Sequence, residues 1–128
     1  MDRFSLKILL CDDSVMIRKK FIGMLNENGF TNILEAQDGQ AAVDLCKEHD
    51  PDLVFLDIVM PNKDGLEALV EIKQHNPDIH VVMASSVGTQ ANLLKALKLG
   101  ANNFVQKPIT MDLVLDIVNK IIDGRGDN

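Results

Sequence analysis

The sequence predicts a doubly wound α/β domain, a five-stranded parallel sheet of order 2-1-3-4-5 with helices on both faces, and three observations predict it. Short apolar runs alternate with segments of helical period over five cycles in 128 residues, which implies parallel strands joined by right-handed crossovers. The third run, 53–56, is unbroken, as expected of a strand buried on both faces. Four of the five end on an acid, a hydroxyl or an amine, at the edge where sheets of this class hold their ligands.

Taken in order, residues 6–10 (LKILL) form a first strand that runs out into Asp12 and Asp13. Ser14 caps a helix whose Ile17, Phe21, Met24 and Leu25 share a stripe, with Arg18, Lys19 and Lys20 expected in water and Gly29 as the stop. Residues 32–36 (NILEA) are a second strand, and Asp38-Gly39 turn into a helix through Ala42, Val43, Leu45 and Cys46 that ends before Asp50-Pro51. The third strand, 53–56, is purely apolar and delivers Asp57 at its tip, followed by Met60-Pro61. A loop to Gly65 leads into a helix with Leu66, Leu69, Val70 and Ile72 inward, broken at Pro77. Residues 80–84 (HVVMA) are a fourth strand ending at Ser85 and Ser86. A helix over 89–99 places Leu93, Leu94 and Leu97 at its apolar positions, and Gly100 closes it. Residues 103–106 (NFVQ) make a fifth strand ending at Lys107-Pro108. Thr110 caps a last helix with Leu113, Val114, Ile117, Val118 and Ile121 in period, and Gly124 with a polar tail finishes the chain. The expectation is one domain over 1–128 with its core at about 5–123.

Composition narrows the function. With 46% hydrophobic and 25% charged residues, 8 glycines and 4 prolines, the chain is of an ordinary globular class. A net charge of −6 argues against direct nucleic-acid binding, which needs a cationic surface to displace counterions. Cys11 and Cys46 lack metal-ligand spacing and read as buried thiols of a reducing compartment. The opening MDRFSLKILLCDD holds too short an apolar run for a signal peptide or a membrane span, so a cytoplasmic protein with no membrane partner is expected.

A lone aspartate at a strand end is ordinarily a turn residue. Here the strand tips read together as Asp12 and Asp13, Asp57, Ser85 and Lys107, and in the order 2-1-3-4-5 the winding reverses between the first and third strands, those that end in the acids. Three gathered carboxylates repel one another by about 4 kcal/mol per close pair at an intermediate dielectric. Lys107 supplies one positive charge, and a hard, oxygen-seeking dication such as Mg²⁺ would supply the rest. The chemistry such a set suits is phosphoryl transfer to a carboxylate, with metal and lysine absorbing charge on the phosphoryl oxygens and a hydroxyl adding a hydrogen bond.

The segment DDS followed by Arg18, the DIVMP stretch with Pro61, Asp64 and Gly65, Ser85 after an apolar strand, and GANNFVQKP resemble the receiver domain of bacterial two-component response regulators over essentially the whole chain. Among these it looks most like the stand-alone, CheY-like receivers, whose fold is flavodoxin-like. The resemblance implies that Asp57 is the phosphoacceptor for a sensor histidine kinase. It also implies that Asp13 and Asp57 hold Mg²⁺ with the backbone carbonyl of Val59, and that Asp12 orients metal-bound water. Lys107 would contact the phosphoryl group, Ser85 would swing toward it, and Phe104 would turn inward in response. An ordinary core place for Phe104 is the competing reading. The Lys107-Pro108 bond is typically cis in the family. Such a domain is a switch and not an enzyme in the usual sense, catalysing only its own phosphorylation and dephosphorylation.

The two positions that modulate dephosphorylation in this family are Val59 and Val87 here, and neither can position an attacking water, so slow self-dephosphorylation is expected. Independently of the family, residues 79–111 contain no acid but include Lys95, Lys98 and Lys107, which suggests a downstream target protein with an acidic patch docking at the helix of Lys95 and Lys98, or else a merely solvated helix face. The alternatives are a phosphorelay intermediate serving a histidine phosphotransfer protein and the N-terminal receiver of a longer regulator. A phosphohydrolase is disfavoured because Val59 stands where such enzymes place a second acid, and a flavin domain because Asp12 and Asp13 would repel its phosphate.

Overall fold

The computed structural model describes residues 2–60, 62–86 and 90–126. Its strands are β1 (Ile8–Cys11), β2 (Ile33–Ala36), β3 (Leu53–Asp57), β4 (His80–Ser85) and β5 (Asn103–Gln106). All neighbours pair in parallel, in the order β2-β1-β3-β4-β5. Between and after them run α1 (Val15–Glu27), α2 (Gly39–His49), α3 (Gly65–His75), α4 (Gln90–Lys98) and α5 (Met111–Gly126). A 3-10 turn, Arg3–Ser5, precedes β1 and rests Phe4 on Phe30, ring centroids 5.4 Å apart.

The helices begin where short oxygen-bearing side chains can take an orphan backbone N–H. Ser14 accepts from Ile17, Asp38 from Ala41, Asp64 from Glu67 and Thr110 from Leu113. β3 lies in the middle of the sheet, and Leu53, Val54 and Leu56 are fully buried. Strand residues alternate between faces, and that alternation divides the core. Leu9, Cys11, Val54, Leu56, Val81 and Met83 pack with α2, α3 and Ala96 of α4. Ile8, Leu10, Leu53, Phe55 and Val82 pack with Leu25 of α1 and with Val114, Ile117, Val118 and Ile121 of α5.

Three expectations are corrected. In α4 the buried position is Ala96, while Leu94 and Leu97 are 52% and 48% exposed. Leu94 stands roughly 200° round the helix from Ala96, so the leucine run straddles the stripe that meets the sheet, and only Leu93 among the three is part-buried. Where Gly124 and a polar tail were expected, the last helix continues to Gly126, since a glycine inside an α-helix costs only about 1 kcal/mol. Leu113, placed on its inward face, is 36% exposed. Thr89, Pro61 and Val87 lie outside the described residues.

Cys11 and Cys46 are free and buried, as read from the sequence, and burial raises both thiols, that of Cys46 to about 12. Among the described residues no helix is long and apolar enough to cross a membrane.

Candidate functional site

Parallel strands all finish at the same edge, so the residues that follow them converge there. Leu53 and Phe55 face the α1 and α5 layer, and a period of two carries Asp57 to the same side. By the same count Asp12 follows Leu10 on that side, and Lys107 follows Val105. Asp57 lies opposite Ala84 of β4, whose methyl group leaves room beside the carboxylate. Asp12, Asp57, Ala84 and Lys107 accordingly share one cavity of about 600 Å³ with Leu10 and Phe55.

Lys107 Nζ donates to Asp57 Oδ2 at 3.0 Å and to Asp12 Oδ2, with all three side chains less than a fifth exposed. Asp12, Asp13 and Asp57 each bring a carboxylate oxygen within 4.8 Å of the others. Burial pushes the Asp57 carboxyl above its usual range; the Lys107 ammonium opposes the rise and Asp12 adds to it, while the backbone N–H of Val59 also donates to Asp57. Burial alone would lower the Lys107 amine, yet the bonds to Asp12 and Asp57 outweigh it and hold Lys107 charged. One ammonium thus faces a surplus of carboxylate charge. The donor set fits a hard dication, because every ligand atom on offer is a carboxylate oxygen and the grouping is mutually close.

The acids and the lysine therefore meet as the sequence suggests. Ser85 is buried at the end of β4, on the face of Val81 and Met83 and thus opposite to Asp57, and its carbonyl accepts from Lys107 N at 2.8 Å. Ser86, expected only as a strand end beside Ser85, lines the cavity with Asp57. Phe104 is half-buried against the face of α2 and α3. The Lys107-Pro108 peptide is cis. The side chain of Val59 is 76% exposed.

Arg18 corrects the sequence reading. Placed in water by the α1 periodicity, it is only 9% exposed; its Nη1 donates to the Asp12 carbonyl, and its Nε donates to Glu35 Oε1 at 3.2 Å. A guanidinium can be buried where its fixed donors meet such partners. Here it ties the loop of the acid pair to β2. The available signal was a basic residue one turn inside a helix that opens next to two acids.

A family model described as response regulator receiver domain matches residues 8–119. The chain is 41% identical over 117 residues to the chemotaxis protein CheY of Bacillus subtilis, an alignment that covers 91% of this chain and 98% of that protein. In the crystal structure of the CheX-CheY-BeF3-Mg+2 complex from Borrelia burgdorferi, a chain 34% identical superposes with a TM-score of 0.84, covering 91% of this chain and 89% of its own length. A CheY-like receiver domain protein from Methanospirillum hungatei, at 24% identity and a TM-score of 0.88, shares the fold over 97% of this chain and all of its own. Family model, relatives, strand order and the acidic edge agree, and the chain belongs to the response regulator receiver domain family.

Proposed function

We propose that the protein is a phosphorylation-operated switch of a two-component system, in which Asp57 takes a phosphoryl group from a sensor histidine kinase. The observation that carries this reading is a carboxylate less than a fifth exposed at the switch point of the sheet, held between Lys107 and the acids that follow β1. In the transfer an Asp57 carboxylate oxygen forms the O–P bond as the donor's P–N bond breaks, and the leaving imidazole keeps the electron pair and takes its proton from solvent. Lys107 neutralises charge on the phosphoryl oxygens, and Asp12, Asp13, Asp57 and the Val59 carbonyl would hold Mg²⁺. When bound, that ion supplies electrostatic stabilisation of the same oxygens. Ser85 turns toward the phosphoryl group and vacates space on the face it shares with Phe104, and Phe104 follows inward; the alternation of β4 and β5 supports this pairing. The altered surface is then read by a target protein in the cytoplasm, at the side of α4 that carries Lys95 and Lys98. The domain spans 1–128 on this reading.

Incubation with Mg²⁺ and acetyl phosphate, followed by intact mass, is expected to add one phosphoryl group to the wild type and none to Asp57→Asn. An adduct that survives that substitution would sink the assignment. The exposed, apolar Val59 cannot orient water, so Val59→Asn is expected to shorten the lifetime of the phosphorylated form by roughly threefold to tenfold, within the range general positioning effects reach. Decay of purified phosphoprotein after removal of the donor measures it; equal lifetimes would remove Val59 from the account.

A further inference from the structure

The loop that leaves Asp57 is gripped from α2. Asp38, which caps α2 by taking the Ala41 N–H on Oδ1 at 2.8 Å, takes the side-chain amide of Asn62 on Oδ2 at 2.8 Å. The carbonyl of Asp38 accepts from Cys11 Sγ at 3.2 Å, and that sulfur also lies 3.2 Å from Met60 Sδ. Asn62 stands at φ +69°, a conformation that asparagine tolerates better than most residues. Beside Asp38, Gly39 is buried with no room for a side chain, because a Cβ there would overlap the Lys63 carbonyl oxygen and lie 2.8 Å from its carbon. Both obstacles are backbone and cannot swing aside.

We propose that Asp38 and Gly39 act as a latch that positions residues 58–60 and 62–63, and through them the Val59 carbonyl, so that the acid cluster reaches its full affinity for Mg²⁺. The inference rests on the metal reading given under Proposed function. Asp38 and Gly39 are positioning residues: neither belongs to the acid cluster, and each meets the loop, Asp38 through Asn62 and Gly39 through Lys63. The contact with Asn62 is exposed and adds modest energy, whereas the Gly39 contact is a packing constraint on the same backbone. The two together set where the loop runs as it leaves Asp57. Glycine in the first turn of α2 costs helix stability relative to alanine. A close backbone approach gives that residue a reason to be there.

The test is titration calorimetry of the unphosphorylated protein with MgCl₂. Gly39→Ala, which raises helix propensity and changes no charge, is expected to weaken Mg²⁺ binding about fivefold. Asn62→Gly, which keeps the left-handed backbone and removes only the amide, is expected to weaken it about threefold. Asn62→Asp sets two carboxylates against each other, and binding falls; adding Asp38→Asn, which still caps α2, reverses donor and acceptor and restores affinity to within twofold of wild type. A purely structural role would not give that rescue. Wild-type affinity in both Gly39→Ala and Asn62→Gly would overturn the latch while leaving the metal site standing. A wild-type protein that takes up no Mg²⁺ would overturn the metal reading itself, and the latch with it.

Discussion

Replacing Gly65 by alanine is expected to destabilise the protein by about 3 kcal/mol, the upper part of the range for overpacking, and to stop phosphorylation of Asp57 by acetyl phosphate. Gly65 opens α3 directly over the end of β3, and its N–H donates to the Ile58 carbonyl at 2.8 Å. A Cβ built there would overlap the Asp57 carbonyl oxygen and lie 2.8 Å from the Ile58 Cα. β3 is hydrogen-bonded to β1 on one side and β4 on the other, so its backbone has nowhere to retreat. Either α3 lifts from the sheet and uncovers Ala68, Leu69 and Ile72, or the strand end tilts and takes the acceptor carboxylate with it. Urea unfolding reads the first outcome and phosphoryl incorporation the second. A variant with wild-type stability and wild-type incorporation would show the close approach to be inconsequential.

Lys107→Met should give the second large effect, and a conditional one. Without Mg²⁺ the variant is expected to lose about 3 kcal/mol, since removing one partner of a buried charge cluster leaves the others uncompensated. That corresponds to a fall of roughly 10 °C in the unfolding midpoint for a domain of this size. With saturating Mg²⁺ most of the loss should return, because binding to the folded state alone adds stability by mass action, and the gathered acids would then have a counter-charge again. The wild type, in which Lys107 already neutralises part of the cluster, should gain less from the metal. Thermal unfolding of both proteins with and without Mg²⁺ compares the two gains; equal gains would mean that lysine and metal do not answer to the same carboxylates.

The fold was legible because its determinants are local and repeated: 53–56 carries nothing but apolar side chains, and Ser14, Asp38 and Thr110 each stand before a helical stripe. The acids and Lys107 were legible because parallel strands bring successive tips to one edge whatever the loops do. Arg18 and α4 were not, for a common reason. Periodicity reports which side of a helix is apolar on average, whereas burial depends on the neighbour that side meets. Arg18 is buried because the Asp12 carbonyl and Glu35 are there to accept from it, and Leu94 is exposed because the stripe centred on Ala96 is the one that reaches the sheet. The contacts of Gly39 and Gly65 lie equally beyond the sequence, since a glycine's neighbours appear only once the chain is folded.

The alternation that sorts the strand tips has a consequence for how such a chain can change over time. Asp57 shares a face with Leu53 and Phe55 because an even number of residues separates them. One residue inserted or deleted within β3 would turn the acceptor to the face of Val54 and Leu56, away from Lys107 and into the layer beneath α2 and α3. The segment can therefore lengthen or shorten only in twos.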